Sequence, residues 1–309
     1  MLKTIALQKK KFKYFRPLIL TRHPTHSPLR AKERLLPVFP FRSVIRFGSL
    51  TEVEDSVTRG GNRIELNTVA AIKNSANKLL MKQCFTNNNV KTADWWNKIC
   101  DNDHGDFFLR NDINTDWDVA DKTICQDEPS SKPIPFPIVA KHIFGSRNNG
   151  NFKLDSQEEL ESWLVGKTLS NYIFEKFYNY SREYRLHVQE DGCFYTCRKM
   201  LRSDTAEDKR WYRNDSNSNW IVETNESFDK PVNWDTVIEE SIKALKSVGL
   251  DFGAVDLRIQ SKLDKDGNER TDPDFIVVEI NSAPSFGTIT LDKYLVEIPK
   301  ILNRKYASI

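Results

Sequence analysis

The sequence has few cysteines and no long run of apolar residues. Its five cysteines, Cys84, Cys100, Cys125, Cys193 and Cys197, are scattered over 309 residues, and no two stand in a CxxC pair. Such an odd, dispersed set is a poor disulfide framework and offers no zinc site, so the simplest expectation is a reducing cytoplasm. No apolar segment approaches the roughly 20 residues that span a bilayer, so we expect no integral membrane protein.

A large excess of charge of one sign is also absent. The chain has 46 Lys and Arg against 43 Asp and Glu, a formal net charge of +3, which argues against a protein that is basic throughout. The N-terminal stretch is locally basic, but no long apolar core and cleavage site follow it, so we predict no secretory signal. Hydrophobic residues make up 39% of the sequence, an ordinary share for a folded protein, and the length suggests roughly two domains.

Three patterns divide the first half of the chain. Residues 1–68 are rich in Pro and Arg and predict short strands joined by loops. From Leu66 the apolar residues take helical spacing, and Asn87–Asn89 are expected to end this helix. A buried strand is predicted at Phe136–Lys141, followed by a Gly- and Asn-rich loop and a helix with Asp155 as its N-cap.

The second half alternates strands with one clear helix. Strands are predicted at Tyr172–Phe177, Tyr184–Gln189, Cys193–Met200, Gly253–Gln260 and Phe275–Ile280. An amphipathic helix is predicted at Trp234–Val248, and the polar stretch Ser203–Asn219 is expected to be a mobile loop.

Two apolar strands near the C-terminus carry acidic residues. Asp256 lies in the first, and Glu279 and Asn281 lie in the second, where side-chain alternation points both to one face. If the strands pair as a hairpin, Asp256 joins them, and two carboxylates with an amide oxygen are the ligand type that Mg²⁺ takes beside phosphate oxygens. The alternative is that Arg258 or another basic residue pairs with these carboxylates in a structural role.

A lysine and a glycine-containing loop form a second candidate site. Lys141 ends a buried strand, where its charge needs an anionic partner. The loop that follows contains Gly145, Ser146, Asn149 and Gly150, and its backbone amides could fold over phosphates. It matches neither the Walker P-loop nor the dinucleotide fingerprint, and an ordinary hairpin loop is the alternative interpretation.

A third segment has groups suited to a nucleoside. A strand ends in the run Glu175, Lys176, Phe177 and Tyr178, which could offer backbone groups to an adenine edge and aromatic rings beside it. Glu183 is a candidate for ribose hydroxyls and Arg185 for phosphate. Alternatively, Glu183 forms only a surface ion pair with Arg182 or Arg185, which would contribute little.

These segments, in this order, resemble the ATP-grasp superfamily of D-alanine–D-alanine ligase, glutathione synthetase and biotin carboxylase. In that family a lysine-ended strand and a glycine-rich loop cover ATP, a linker strand holds adenine and ribose, and a C-terminal D…ExN set binds Mg²⁺. The resemblance covers about residues 66–290. It implies an α/β (α+β) ATP-grasp fold, with two lobes of largely antiparallel sheet gripping ATP after a short N-terminal region, and a division into residues 1–68, 69–168 and 169–309.

The resemblance also implies roles for residues outside these segments. It makes Lys78 the second ATP lysine, with Lys82, one turn further on, a spectator. Arg198, Lys199 and Asn219 stand where such enzymes carry groups near the phosphates or the acyl group. The implied catalytic residues are therefore Arg185, Arg198 and Lys199, and the implied metal ligands are Asp256, Glu279 and Asn281.

The activity that the resemblance implies is an ATP-dependent ligase that joins a carboxylate to an amine or thiol through an acyl phosphate. One or two Mg²⁺ ions, or Mn²⁺ in their place, are the expected metals, and the partners are a small-molecule or peptide carboxylate and an amine acceptor, with the oligomeric state open. Five N-terminal basic residues could bind an acidic amino acid or a peptide carboxylate, or be solvated: Arg22, His23, Arg30, Arg42 and Arg46.

Two other functions are weighed against the ligase. The first is a phosphotransferase that uses the same ATP site on a hydroxyl or phosphate acceptor. The second, ranked lower, is a nucleic-acid-binding module, supported by the basic N-terminus and by the aromatic residues of positions 211–220, which could stack on bases. That interpretation leaves the acidic cluster unexplained, because carboxylates without metal repel phosphate.

Overall fold

A computed structural model describes residues 14–22, 33–54, 63–101, 107–111, 134–145, 148–224, 226, 228–285 and 287–308. By its internal contacts the chain separates into two compact units, Met1–Val69 with Ser285–Ile309, and Ala70–Pro284. The predicted three-part division remains a prediction. None of the described helices is long and apolar enough to cross a membrane.

The described elements alternate between short strands and helices. The strands are β1 (Leu18–Thr21), β2 (Arg42–Phe47), β3 (Arg63–Leu66), β4 (Trp95–Trp96), β5 (Lys98–Asp101), β6 (Phe107–Arg110), β7 (Ile138–His142), β8 (Asn151–Leu154), β9 (Tyr172–Lys176), β10 (Arg182–Gln189), β11 (Gly192–Leu201), β12 (Ser218–Val222), β13 (Phe252–Ile259) and β14 (Phe275–Asn281). The helices are α1 (Val69–Ala76), α2 (Lys78–Asn87), α3 (Gln157–Leu164), α4 (Trp234–Ser247) and α5 (Thr288–Ala307).

The first unit contains a three-stranded parallel sheet in the order β1-β2-β3. Val44 and Ile45 of β2 are fully buried, and the Phe47 ring packs edge-on against Tyr294 of α5. Arg46 is also completely buried, and its charge is compensated there by an ion pair in which its Nη1 lies 2.6 Å from a Glu65 carboxylate oxygen. The sequence leaves two roles open for Arg46, as a member of a carboxylate pocket or as a solvated side chain. The buried ion pair with Glu65 fits neither role.

The other members of that predicted basic pocket are dispersed. Arg22 is exposed, and the guanidinium carbon of Arg42 lies 4.9 Å from the centre of the Phe15 ring. His23 and Arg30 lie outside the described residues. The structure thus gives no support to a shared carboxylate pocket among the described members of this set.

The second unit contains two larger antiparallel sheets and one small ribbon. The four-stranded sheet has the order β4-β9-β7-β8, the five-stranded sheet has the order β12-β11-β10-β13-β14, and β5 pairs with β6. Mixed helices with largely antiparallel sheets confirm the predicted fold class. Strand β9 follows the predicted boundary at residue 168 but pairs with β7 in the four-stranded sheet.

Helices cover one face of each large sheet. Trp163 of α3 packs edge-on against Phe174 of β9, and Val237 and Leu245 of α4 are buried in a core that includes Tyr184 of β10. The N-cap of α3 is Ser156, whose hydroxyl accepts a hydrogen bond from the Glu159 amide. The prediction of Asp155 as the cap was wrong by one residue.

The predicted helix from Leu66 is two helices. Asn77 interrupts it, because its side chain accepts hydrogen bonds from the amides of Leu79 and Leu80 and so caps a new helix. The break places Lys78 in the first turn of α2, which positions its side chain for the site described below.

The stretch expected to be a mobile loop is held by hydrogen bonds. Its last residues belong to β12, and Asn217 donates hydrogen bonds to the carbonyls of Lys209 and Tyr212 while Arg202 reaches the carbonyl of Ser216. A polar composition alone did not reveal these contacts. These hydrogen bonds hold the segment, which joins β11 to β12 at the edge of the five-stranded sheet.

Cysteines behave in two ways. Cys84, Cys193 and Cys197 have free thiols. Cys100 in β5 is disulfide-bonded, which the scattered spacing of the cysteines did not predict.

Candidate active site

Strands β13 and β14 bring the predicted metal ligands together. They pair antiparallel with Asp256 opposite Glu279, as the predicted hairpin requires. The Asn281 amide donates a hydrogen bond to Glu279 Oε1 at 3.1 Å. Glu279 and Asn281 share one face because they are two residues apart on the strand. The register shifts just beyond Asp256, where Leu257 stands opposite Val277.

The carboxylate of Asp256 is engaged by two cations. Arg185 Nε and Nη2 donate to its two oxygens at 2.6 and 2.7 Å, and Lys199 Nζ lies 3.2 Å from one of them. Although burial raises the pKa of Asp256, these cations lower it well below its ordinary value. Asp256 thus has the basic partner that the structural alternative requires, although the partner is Arg185 and not Arg258, and its role as a metal ligand stays a prediction.

Glu183 is the centre of a second ion-pair group on the same face. Lys199 Nζ lies 2.9 Å from its Oε1, and the guanidinium groups of Arg258 and Arg213 lie 3.0 and 3.6 Å from its Oε2. The Glu183 side chain is only 7% exposed, so this is not the weak surface pair weighed above. Its contact with ribose remains a prediction.

Two lysines converge on Glu175. Lys141 Nζ lies 2.7 Å from one carboxylate oxygen and Lys82 Nζ lies 3.2 Å from the other. Lys82 is completely buried, and burial lowers its pKa to about 8. Lys82 is therefore an ion-pair partner of Glu175, and the expectation that it takes no part in binding ATP stays a prediction. The sequence contains one signal for this contact: Lys82 follows Lys78 by one helical turn, on a helix face that is otherwise apolar.

The loop between β7 and β8 is tied to α2. Lys78 Nζ donates a hydrogen bond to the Gly145 carbonyl, and burial lowers the Lys78 pKa while Glu279 opposes that shift. A Cβ at Gly145 would lie 2.4 Å from the Asn149 carbonyl oxygen, so this tight turn requires glycine. Gly150, at the other end of the loop, has a positive φ of 76°. Ser146 lies outside the described residues.

A short linker of residues 177–181 joins β9 to β10. The Tyr178 hydroxyl donates to Asp94 at 3.1 Å, and the Tyr180 hydroxyl donates to Asp274. Burial and Asp94 raise the pKa of Tyr178 to about 12. Lys176 is exposed and its ammonium lies over the Tyr178 ring, while Phe177 donates its amide to Pro137.

Trp220 is a site residue that the sequence analysis missed. Its ring lies 4.6 Å from the guanidinium carbon of Arg185 and 4.8 Å from Lys199 Nζ. In the ladder between β11 and β12, Trp220 stands opposite Lys199. The predicted residue at this place, Asn219, is one position away and instead accepts a hydrogen bond from Arg202.

Arg198 is not brought to the site. Side chains alternate along β11, so Arg198 and Lys199 point to opposite faces. Arg198 stands opposite Tyr184, on the face that packs against α4, and its Nε lies 2.7 Å from a Glu223 oxygen. The prediction of a catalytic Arg198 is therefore corrected by the strand register.

Eight of the predicted site residues form one continuous charged cluster, here called the site cluster, together with Lys82, Arg213 and Arg258, which the sequence analysis did not assign to the site. Ion pairs and close electrostatic contacts connect its basic members, Lys78, Lys82, Lys141, Arg185, Lys199, Arg213 and Arg258, with its acidic members, Glu175, Glu183, Asp256 and Glu279. Basic side chains outnumber acidic ones, so the site cluster has a positive surplus that suits a polyanionic ligand such as a nucleotide phosphate chain.

Comparison with known proteins identifies the fold. No protein-family model and no curated protein matches the sequence. Among solved structures, a D-alanine–D-alanine ligase from Bacillus anthracis is 14% identical with a TM-score of 0.56, over 95% of this chain and 99% of that one.

Two further structures align over a similar part of this chain. A biotin carboxylase–βγ-ATP complex from Campylobacter jejuni and an ATP complex of carboxyaminoimidazole ribonucleotide synthase from Aspergillus clavatus are each 15% identical, with TM-scores of 0.51. Each alignment covers 84% of this chain, against 54% of the carboxylase and 60% of the synthase. The chain therefore has the fold of the ATP-grasp enzymes, the superfamily that its sequence resembles.

Proposed function

We propose that the chain is an ATP- and Mg²⁺-dependent ligase that joins a carboxylate to an amine through an acyl phosphate. The observation that carries the proposal is the site cluster, which includes Glu279 with its hydrogen-bond partner Asn281 beside it. Its basic side chains come from two sheets and α2, and they outnumber its acidic side chains. Buried positive charge without enough carboxylates is costly unless an anion completes it. A nucleotide triphosphate supplies that anion.

The lysines and the loop are assigned to the phosphates. Lys78 and Lys141 approach from α2 and β7, and Lys78 already contacts the Gly145 carbonyl at the base of the loop. Backbone amides of residues 145–150 would close over the phosphate chain. The segment from Glu175 to Tyr178 and Glu183 are assigned to adenine and ribose, as the resemblance implies.

The oxygen donors beside the lysines fit a hard divalent cation. The described residues contain no group of three His, Cys, Asp or Glu side chains arranged to hold a metal. Glu279 and Asn281 nevertheless adjoin one another on β14, and Glu279 makes no salt bridge within the described residues. Mg²⁺ commonly takes one or two carboxylates and completes its shell with water and substrate phosphates. When bound, it would neutralise charge on the transferred phosphoryl group.

The chain's own groups would position the reactants and stabilise developing charge. A substrate carboxylate attacks the γ-phosphorus of ATP and ADP leaves. The amine then attacks the acyl carbon, inorganic phosphate leaves, and the amine nitrogen loses its proton. Arg185 and Lys199 are fixed on neighbouring strands. The proposal assigns them to the negative charge that accumulates in both steps.

A product assay tests the proposal. The chain is incubated with Mg²⁺, ATP and pooled amino acids, peptides and polyamines, followed by measurement of ADP, free phosphate and product mass. We expect ADP and free phosphate in equal amounts, with a product heavier than either substrate. Lys141→Met should lower turnover roughly 100-fold, while the surface control Lys246→Met should not. Phosphate retained on an acceptor would instead identify a phosphotransferase.

The structure gives the nucleic-acid alternative no separate support. Trp211 packs against Tyr212, and Trp220 lies against Arg185 and Lys199, so the aromatic residues proposed to stack on bases already have partners. Cytoplasmic location also stays a proposal. Because disulfides are rare in the cytoplasm, the Cys100 bond makes thiol labelling of the native protein a direct test of the compartment.

A further inference from the structure

Asp256 is surrounded by positive charge before any metal binds. Arg185 Nε and Nη2 donate to its two oxygens at 2.6 and 2.7 Å, a bidentate geometry, and Lys199 Nζ lies 3.2 Å from Oδ2. Paired N–H groups of this kind are among the strongest hydrogen bonds to a carboxylate. A divalent ion on Asp256 would lie within a few ångströms of a guanidinium and an ammonium, and the like charges would repel it.

Arg185 is fixed in this position. It stands directly opposite Asp256 in the ladder between β10 and β13, so backbone pairing sets the distance between the two side chains. The indole of Trp220 covers one face of the guanidinium at 4.6 Å, and the Arg185 side chain is 14% exposed. An arginine held by a strand register, a bidentate carboxylate and an aromatic ring is not a surface side chain that moves aside freely.

Glu279 differs from Asp256 although the two are neighbours. Within the described residues it forms no salt bridge, and it accepts a hydrogen bond from the Asn281 amide nitrogen. Rotation of that amide about its last bond would present the oxygen beside the Glu279 carboxylate. Lys78 and Arg185 act on Glu279 electrostatically without forming an ion pair with it. Glu279 and Asn281 therefore offer two oxygen donors to a metal without breaking an ion pair.

We infer that the Arg185 guanidinium takes the place of a metal ion at Asp256, so that the chain holds a single Mg²⁺, on Glu279 and Asn281. The inference rests on the proposed ATP-dependent function. It reassigns Asp256 from metal ligand to the residue that positions Arg185.

Counting bound Mn²⁺ tests the inference. Mn²⁺ is titrated into the full chain with a non-hydrolysable ATP analogue, and free Mn²⁺ is followed by electron paramagnetic resonance, with the analogue alone as the blank. We expect one protein-dependent Mn²⁺ per chain, and two would overturn the inference while leaving the proposed function intact. If the analogue does not bind at all, both the inference and the proposed function fail.

Matched carboxylate variants distinguish the two residues. Glu279→Gln should weaken Mn²⁺ binding about tenfold or more, whereas Asp256→Asn should change it less than about threefold. Equal losses in the two variants, or a larger loss in Asp256→Asn, would contradict the inference.

An arginine variant provides a gain of binding. Removing the guanidinium should open Asp256, so Arg185→Ala should bind a second Mn²⁺, and an unchanged count in a folded variant would contradict the inference. If circular dichroism shows that Arg185→Ala does not fold, the carboxylate pair and the wild-type count still decide.

Discussion

Lys82 and Glu175 form an ion pair that is closed off from solvent. Lys82 Nζ lies 3.2 Å from Glu175 Oε1, and the two side chains are 0% and 5% exposed. Lys141 reaches the other oxygen of the same carboxylate at 2.7 Å. The pair thus links α2 to the middle of the four-stranded sheet through one buried negative charge shared by two lysines.

Removing that charge should destabilise the fold strongly. Glu175→Gln leaves Lys82 and Lys141 without their carboxylate, and breaking a buried pair in this way costs about 3–5 kcal/mol. The measurement is the free energy of unfolding in urea. The control is Asp155→Asn, which breaks an exposed pair with Lys153 and should cost less than about 1 kcal/mol. Similar losses in both variants would contradict the prediction.

Lys82 should also make stability depend on alkaline pH. Burial lowers its pKa from 10.5 to about 8. Between these pH values the unfolded chain still holds the Lys82 proton while the folded protein has lost it, so rising pH favours the folded state. Urea unfolding from pH 7 to 10.5 should show this gain in the wild type relative to Lys82→Met. A constant difference between the two proteins would show that Lys82 does not titrate in this range.

His187 should make stability depend on acidic pH. Burial, with the charge of Arg185, lowers its pKa from 6.5 to about 3. Between these values the unfolded chain binds a proton that the folded protein does not. The free energy of unfolding therefore decreases by about 1.4 kcal/mol for each unit by which the pH is lowered. His187→Gln should remove this contribution, measured as a shallower loss of unfolding free energy between pH 6.5 and 4. Parallel profiles would rule it out.

Adjacent residues on β11 should differ in function. Lys199 faces Glu183 and Asp256, whereas Arg198 faces the α4 side and pairs with Glu223. We expect Lys199→Met to lower turnover roughly 100-fold and Arg198→Met to leave nucleotide affinity within about threefold of wild type. Steady-state kinetics and calorimetric ATP titration make the comparison. A greater loss from Arg198→Met would place the opposite face of the strand at the site.

Gly145 should not tolerate a methyl group. A Cβ there would lie 2.4 Å from the Asn149 carbonyl oxygen, so Gly145→Ala must distort the loop, at a cost of about 1–3 kcal/mol. Gly287→Ala is the steric control, because a Cβ at that position meets no atom within 4 Å. Gly287 is the N-cap of α5, where Ala is less favourable than Gly, so this variant should cost less than about 1 kcal/mol. Thermal unfolding measures both. An unaffected Gly145→Ala protein would show that the turn is not as tight as described.

Local patterns were sufficient to predict part of this molecule. Alternation on two apolar strands and the polar segment between them predicted the β13–β14 hairpin, and with it the neighbouring positions of Asp256 and Glu279. A buried strand carrying Lys141 near its end was also predicted from local sequence, and β7 runs from Ile138 to His142 in place of the predicted Phe136–Lys141. Each of these relationships is set by residues close together in the chain or by the two-residue period of a strand.

Other relationships depend on pairing over long distances. The face of β11 that meets the site follows from its register with β10, and a shift of one residue exchanges Arg198 for Lys199. The same shift on β12 exchanges Asn219 for Trp220. Lys82 and Glu175 meet only because α2 packs on β9, a contact that neither local sequence contains. These errors are all errors of register or packing, and none concerns the type of element.

The linker of residues 177–181 has a mechanical consequence. It leaves β9 in one sheet and enters β10 in the other, and its two tyrosine hydroxyls are bonded to different flanks, Tyr178 to Asp94 before β4 and Tyr180 to Asp274 before β14. Asp94 precedes a strand of the sheet that holds β9, and Asp274 precedes a strand of the sheet that holds β10, so each bond ties one side of the linker to its own sheet. The backbone between the two anchored tyrosines, at Asn179, is therefore the place where the chain can turn from one sheet to the other with both bonds intact.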